Sequence, residues 1–394
     1  MVYVENVKSI SIELTSTLKK IFKENMFATK AIKFTLKVNN DWNDEKRGCF
    51  SDTIYDITRY WRLLWYLAKK EPSFNQKDLL EIVEIYLFYK KIVPGNEDLV
   101  NRLNKAQKIR ALRESIPDWL DRLGQREIGK NWNDVLKVLN KKPELIIRVN
   151  TLKKTKEELL DVFKNEKIIA EKINLVPDAL LISKTNIFKL KSFQEGFFEV
   201  QDIASQMVSI FLEPKPGMLV VDACAGEGSK TLHIAALMKN RGRIIAMDLQ
   251  DWRLKQLRKR AKRAGAYNIE TRQITSSKSY KRLKFKVDRL LLDVPCSGLG
   301  TLRRNPDIKW KISFSDLERL KKIQAQLLEK YCCLLKQNGR LVYSVCSILP
   351  SEGDDQIKSF IEKQDKKFEL VKEKILSPDK DNTDGFYMAL IERK

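Results

Sequence analysis

Two cysteines sit in short segments whose surroundings could make them reactive: Cys296 in DVPCSG (Asp293 to Gly298) and Cys346 in SVCSI (Ser344 to Ile348). Each follows an apolar run suited to a buried strand, and parallel sheets hold their ligands at the carboxyl ends of strands. Both thiols are therefore expected at one crevice. An ordinary thiol is mostly protonated at neutral pH, so a nucleophilic one needs positive charge or a helix end nearby. Lys230 can supply that charge. Asp293, three residues before Cys296, can hydrogen-bond a polar ring edge or carry a proton. This set suits an electron-poor pyrimidine: carbon 5 of cytosine takes up a methyl group only after a thiolate has added at carbon 6. The sulfur must later leave by elimination, a step a second thiol can assist. From the residues alone, either cysteine can be the nucleophile. Cys49, Cys332 and Cys333 read as small buried hydrophobes, and Cys224 as part of a turn.

That turn lies in VDACAGEGSKT (Val221 to Thr231), a strand, a glycine-bearing loop and a helix start. Gly226 and Gly228 permit close backbone approach, and the helix from Ser229 offers free amide groups. Asp248, twenty residues after Gly228, ends the next strand, where a carboxylate can accept both hydroxyls of a ribose. Thr231 stands where the dinucleotide fingerprint needs a third glycine, and Glu227 would repel a pyrophosphate. A cationic ligand such as S-adenosylmethionine suits the acidic loop better. Asp222 can orient the turn or the cofactor, and His233, a turn into the helix, reads as a packed or capping residue.

The chain of 394 residues carries 75 Lys and Arg against 52 Asp and Glu, a formal charge of +23. This favours a polyanionic partner, nucleic acid before lipid. No apolar run is long enough for a bilayer crossing, so a soluble, cytoplasmic chain is expected. One histidine and six cysteines without ligand spacing supply no metal site,. Within Gly298 to Trp310, Arg303, Arg304 and Lys309 offer phosphate contacts and Asn305 a base or backbone contact. A helix over Trp252 to Arg263 carries seven basic residues, Arg258 and Arg263 among them, and no acidic one. Its face reads as a phosphate-tracking surface.

The elements that must position these groups follow from periodicity. Short apolar runs at Leu219 to Ala223, Ile244 to Asp248, Val287 to Asp293 and Leu341 to Cys346, with helices between them, predict a doubly wound α/β sheet. GFYMALIERK reads as a closing strand. A strand at Ile146 to Val149, a helix at Lys156 to Asn165 and a strand at Leu180 to Ile182 before a turn predict a small α+β unit. Upstream, Ile54, Ile57, Tyr60, Trp61, Leu64 and Leu67 form a helical stripe, with a loop at Asn96 to Asp98. Domains are expected at 1–140 (helical), 141–200 (α+β) and 201–394 (catalytic).

IIRVNTL, FFEVQDIASQ, DACAGEGSKT, DVPCSGLGTLRRNPDIKW, LVYSVCSILPSE and DGFYMALI together resemble the Nop/Sun family of RNA 5-methylcytosine methyltransferases, and the layout is similar to its bacterial RsmB (Fmu) type. The resemblance implies a Rossmann-like methyltransferase domain, preceded by an RRM-like unit and a NusB-like RNA-binding bundle. It implies S-adenosylmethionine held by Cys224, Ala225, Gly226, Glu227, Gly228, Ser229 and Lys230 with Asp248 and Asp293. It further implies Cys346 as nucleophile, Cys296 as the residue that helps release product, and a monomer acting on small-subunit (16S) ribosomal RNA. The sequence departs from the family's usual CAAPGGKT at Glu227 and Ser229, and Val345 replaces the customary threonine. No acidic residue follows the third strand, Thr275 being nearest. A transfer RNA target, methylation of a nitrogen or a different base, and a catalytically silent RNA-binding assembly factor are the competing readings.

Overall fold

The computed structural model describes residues 2–183 and 186–394, so part of the turn expected after Ile182 lies outside the described residues. Two compact units make up the chain: Met1–Lys142 with Thr301–Ser315, and Pro143–Gly300 with Asp316–Lys394.

In the helical unit the apolar stripes are buried as their spacing requires. Ile54 and Ile57 lie on the Asp44–Arg59 helix, and Trp61, Leu64 and Leu67 on the Trp61–Ala68 helix. Tyr60, with φ −102° and ψ 20°, separates the two where the spacing predicts one. Asn96 accepts the N–H of Leu99 and so caps the Glu97–Gln107 helix; a capping signal stood where a loop was expected,. The Thr301–Ser315 segment packs into this same unit. Asp307 accepts the N–H of Ala28 at 3.0 Å, Arg59 donates to the carbonyl of Arg303 at 2.7 Å, and the Trp310 indole donates to the carbonyl of Thr58 at 2.7 Å.

The second unit holds two sheets. Strands β1 (Ile146–Val149), β2 (Ala170–Lys172), β3 (Ala179–Ile182) and β4 (Phe198–Val200) form an antiparallel sheet in the order β2-β3-β1-β4, a ferredoxin-like arrangement. The Lys156–Asn165 helix, opened by a Thr155/Glu158 capping box, buries Leu159 and Phe163 in the same core as Ile147, Leu180 and Phe198,.

Seven strands form the larger sheet: β5 (Leu219–Asp222), β6 (Arg243–Asp248), β7 (Ile269–Gln273), β8 (Val287–Asp293), β9 (Leu335–Val345), β10 (Phe368–Leu376) and β11 (Phe386–Arg393), in the order β10-β11-β9-β8-β5-β6-β7. β9, β8, β5, β6 and β7 run parallel, and β11 joins antiparallel to β9. Alternate residues enter opposite cores, Val220 and Ile244 on one side and Val221 and Ile245 on the other, as a sheet covered on both faces demands,. From β5 the chain moves outward to β6 and β7, then returns to the other side of β5 at β8. The carboxyl ends of β5 and β8 therefore flank the reversal, where such sheets open a crevice. Among the described residues no helix is long and apolar enough to cross a membrane.

Candidate active site

The crevice at that reversal is a cleft of about 640 Å³, lined by the loop after β5, the ends of β6 and β8, and the Phe314–Tyr331 helix. The loop is shaped by Asp222, which is buried at the end of β5 and accepts from the Thr231 hydroxyl at 2.7 Å and from the N–H of Cys224 at 3.4 Å. Burial raises its carboxyl to about 7, the Thr231 bond opposing and the Asp293 charge adding to the rise,. Asp248 ends β6 and accepts from the N–H of Gly226 at 2.9 Å and of Gln250 at 2.8 Å, one bond on each oxygen. Each oxygen keeps a lone pair for a ligand.

The two glycines do different things. A side chain at Gly226 would meet nothing within 4 Å, and the residue lines the cleft. Gly228 does not line it; with φ +87° it lets the Asp251–Ala264 helix approach, and a Cβ there would lie 2.5 Å from Cγ of Leu257. Its expected role as a cofactor contact is thus corrected to one of packing. Cys224, Ala225, Glu227, Ser229 and Lys230 all line the cleft. His233 is buried one turn along, where burial, and then the Arg148 charge, holds its imidazole down to about 4.

At the other end of the cleft, the sulfurs of Cys296 and Cys346 are 3.2 Å apart, one beyond the end of β8 and one beyond its parallel neighbour β9. Cys296 lines the cleft, and Cys346 is half-buried beside it. Lys230 donates to Asp293 at 2.7 Å, and the other oxygen of Asp293 accepts from the Ser344 hydroxyl at 2.9 Å. Burial pulls the Lys230 ammonium down, but the Asp293 charge and hydrogen bond, with a smaller contribution from Cys346, leave it raised and charged. The hydrogen bond that the Cys296 thiol gives Cys346, then burial, pushes that thiol well up.

Several cleft and support residues carry no signal in the sequence: Leu249, Ile274, Leu327 and Tyr331 along the cleft, and Glu352 beneath the cysteine loops. Glu352 falls inside the LPSE stretch, but nothing in its spacing ties it to Cys296.

The expected nucleic-acid contacts are redistributed. Arg303 and Lys309 are buried in the helical unit, at 5% and 3% exposure, which corrects their reading as phosphate contacts. Burial, then the Arg59 charge, holds the Lys309 amine well below its ordinary value. Arg304 is half-buried, and Asn305, also half-buried, donates to the Thr301 hydroxyl at 3.3 Å. The basic helix begins at Asp251, one residue before the expected start, and that carboxylate pairs with Lys255 and Arg258. Arg258 is exposed and donates to the Thr271 hydroxyl. Arg263 is corrected to a structural role: with Arg260 it pairs the buried Glu199, and its guanidinium lies 4.1 Å from the centre of the Phe193 ring. Lys259 and Lys262 remain on the exposed face. Among the described residues no cluster of His, Cys, Asp or Glu could hold a metal ion.

Comparison with known proteins places this architecture. Residues 209–392 match the family described as 16S rRNA methyltransferase RsmB/F, and residues 116–187 the ferredoxin-like domain of RsmF/B-like methyltransferases. The chain is 37% identical over 252 residues to a probable ribosomal RNA small subunit methyltransferase B of Synechocystis, covering 63% of this chain and 56% of that relative. With the corresponding Bacillus subtilis protein it shares 29% over 400 residues, 91% of this chain and 88% of the other. The crystal structure of the protein PH0851 superposes with a TM-score of 0.79 at 26% identity, over 97% of this chain and 98% of that one. The chain belongs to the RsmB/F methyltransferase family.

Proposed function

We propose that this protein methylates carbon 5 of a cytosine in small-subunit ribosomal RNA through a transient bond between Cys346 and carbon 6 of the ring. The observation that carries this reading is the 3.2 Å approach of two thiols at the ends of neighbouring strands, beside the Lys230–Asp293 pair. The names of the relatives support ribosomal RNA as the substrate. The cofactor is S-adenosylmethionine. The cleft fits it: Glu227, Asp248 and Asp293 give an acidic lining for a sulfonium cation, Asp248 has lone pairs left for ribose hydroxyls, and Gly226 leaves open space. When bound, it supplies the electrophilic methyl group.

The residues of the chain do the rest. The Lys230 charge favours a thiolate at Cys346, whose electron pair forms the bond to carbon 6. Asp293 faces the same cleft and can hold a proton or hydrogen bond at ring nitrogen 3, which draws the displaced electrons into the ring. After methylation a base takes the proton from carbon 5, the C–H electrons re-form the carbon 5–carbon 6 double bond, and the bond from carbon 6 to sulfur breaks with its electrons returning to Cys346. Cys296, 3.2 Å from the departing sulfur, is placed to assist that release as a thiolate that accepts the carbon 5 proton. The family resemblance, which puts the nucleophile at Cys346, favours this assignment over the swapped one, and the upward push on the Cys296 thiol is in line with it. A cytosine reaching two half-buried thiols must be single-stranded or flipped out, and the helical unit is read as a NusB-like element that holds the RNA.

Cys296→Ser should accumulate a covalent RNA adduct, and Cys346→Ser should form none and lose turnover, as read by denaturing gels and bisulfite sequencing of ribosomal RNA. Normal methylation by Cys346→Ser would overturn the nucleophile assignment. Failure of the wild-type protein to bind S-adenosylmethionine in calorimetry would favour the silent assembly factor.

A further inference from the structure

We propose that Glu352 is a positioning residue that sets the separation of the Cys296 and Cys346 thiols by hydrogen-bonding the serine that follows each cysteine. This rests on the two-thiol reading above. Glu352 is fully buried, and its carboxylate accepts bonds from both cysteine loops. One oxygen takes the N–H of Ser297 at 2.8 Å and the side-chain amide of Gln324 at 2.9 Å. The other takes the hydroxyl of Ser297 and the hydroxyl of Ser347, the latter at 2.6 Å.

The two loops share one plan. Each serine hydroxyl also accepts the backbone N–H two residues on, from Leu299 at 3.3 Å and from Leu349 at 3.2 Å, so each turns its chain the same way around the same carboxylate. Tyr343 donates to the Glu352 carbonyl at 2.6 Å, and the Gln324 amide also donates to the carbonyl of Pro295, the residue before Cys296. Burying a carboxylate is costly unless its oxygens are fully hydrogen-bonded. Here the bonds come from the neighbours of both cysteines, which belong to strands separated by about 50 residues of chain. Beyond the strand ends the backbone ties the loops at Val294 N–H to the Ser344 carbonyl, 3.1 Å, and at Gly300 N–H to the Cys346 carbonyl, 3.0 Å; the shared carboxylate adds the tie at the residue that follows each sulfur.

The test reads thiol spacing directly. Phenylarsine oxide bridges two thiols held close, forming two arsenic–sulfur bonds and releasing water. In a Cys333→Ser background, which removes the adjacent Cys332–Cys333 pair, the protein with Glu352 intact should capture the arsenical one to one, and Cys346→Ser should abolish that capture. Glu352→Ala should weaken it by roughly 100-fold or more, as removal of the second anchor does. Glu352→Gln should stay within about threefold, since its amide can give a hydrogen bond to the serine hydroxyls while its carbonyl still accepts from Ser297 and Gln324. If Glu352→Ala does not fold, the Ser297→Ala/Ser347→Ala protein replaces it with the same expected loss. In methylation assays Ser347→Ala should slow adduct formation and Ser297→Ala adduct release, a split that general loss of stability would not produce. Tight capture by folded Glu352→Ala or by the double serine variant overturns the proposal. Loss of capture in variants of a protein that makes no 5-methylcytosine would leave the clamp standing and the proposed reaction refuted.

Discussion

At the scale of single residues, the buried acid at the floor of the cofactor loop gives a pH signature. Asp222 has a folded-state value near 7, against about 3.9 for an unperturbed aspartate,. Between those values the folded chain holds a proton that the unfolded chain has lost. The contribution to stability is therefore full below about pH 4 and is lost as the pH rises through 7, on the order of 4 kcal/mol. Asp222→Asn cannot ionise, so the difference in Tm between variant and wild type should climb from pH 5 to pH 8 in a thermal-shift series. A flat difference would place an ionised carboxylate at this position throughout. Cys296, Cys346 and Asp293 were readable as a group because each lies at or within a few residues of a strand end, and Lys230 because it opens the helix that follows β5, so local chain order already aims them at one edge. Glu352 was not, because it gathers groups 5, 28 and 55 residues away and only the folded chain makes them neighbours.

At the scale of elements, the glycine loop separates ligand contact from packing. Gly228→Ala places a Cβ 2.5 Å from Leu257 on a left-handed backbone and should cost about 1–3 kcal/mol in denaturant unfolding,. Gly226→Ala meets no neighbour, so its main effect should be weaker S-adenosylmethionine binding by calorimetry, with a smaller loss of stability for its positive φ,. Equal effects on stability and binding from both substitutions would contradict this division. The same limit governs which strands could be read from sequence. The apolar runs of β5, β6, β8 and the end of β9 declare central strands, whereas β2, with AEK, and β7, with IETRQ, are polar and only partly buried. Their place comes from pairing with β3 and β6, an ordering force no local pattern records.

At the scale of the whole molecule, a charge of +23 says that a polyanion is near but not which cations meet it. Sequence order grouped Arg303 and Lys309 with the catalytic loop; the fold buries both in the helical unit, and turns Arg260 and Arg263 toward Glu199. Charge that is buried or paired contributes to packing, and charge that is exposed can displace counterions from RNA. Lys309→Met is a test of the first kind. Its depressed folded-state value means that stability is lost as the pH falls through that value, so removing the amine at pH 7 should leave the protein at least as stable in denaturant unfolding,. It should not change how RNA affinity responds to salt. Lys259→Gln/Lys262→Gln is the opposite case, on the exposed face of the Asp251–Ala264 helix. Every lysine–phosphate pairing that the substitutions remove should flatten the slope of log affinity against log salt by about 0.7 for single-stranded RNA. Filter binding over a range of salt concentrations should therefore show a shallower slope for the double lysine variant and an unchanged one for Lys309→Met. The reverse pattern would mean that the RNA opens the helical unit to reach Lys309, and that the exposed face of the basic helix serves solubility alone.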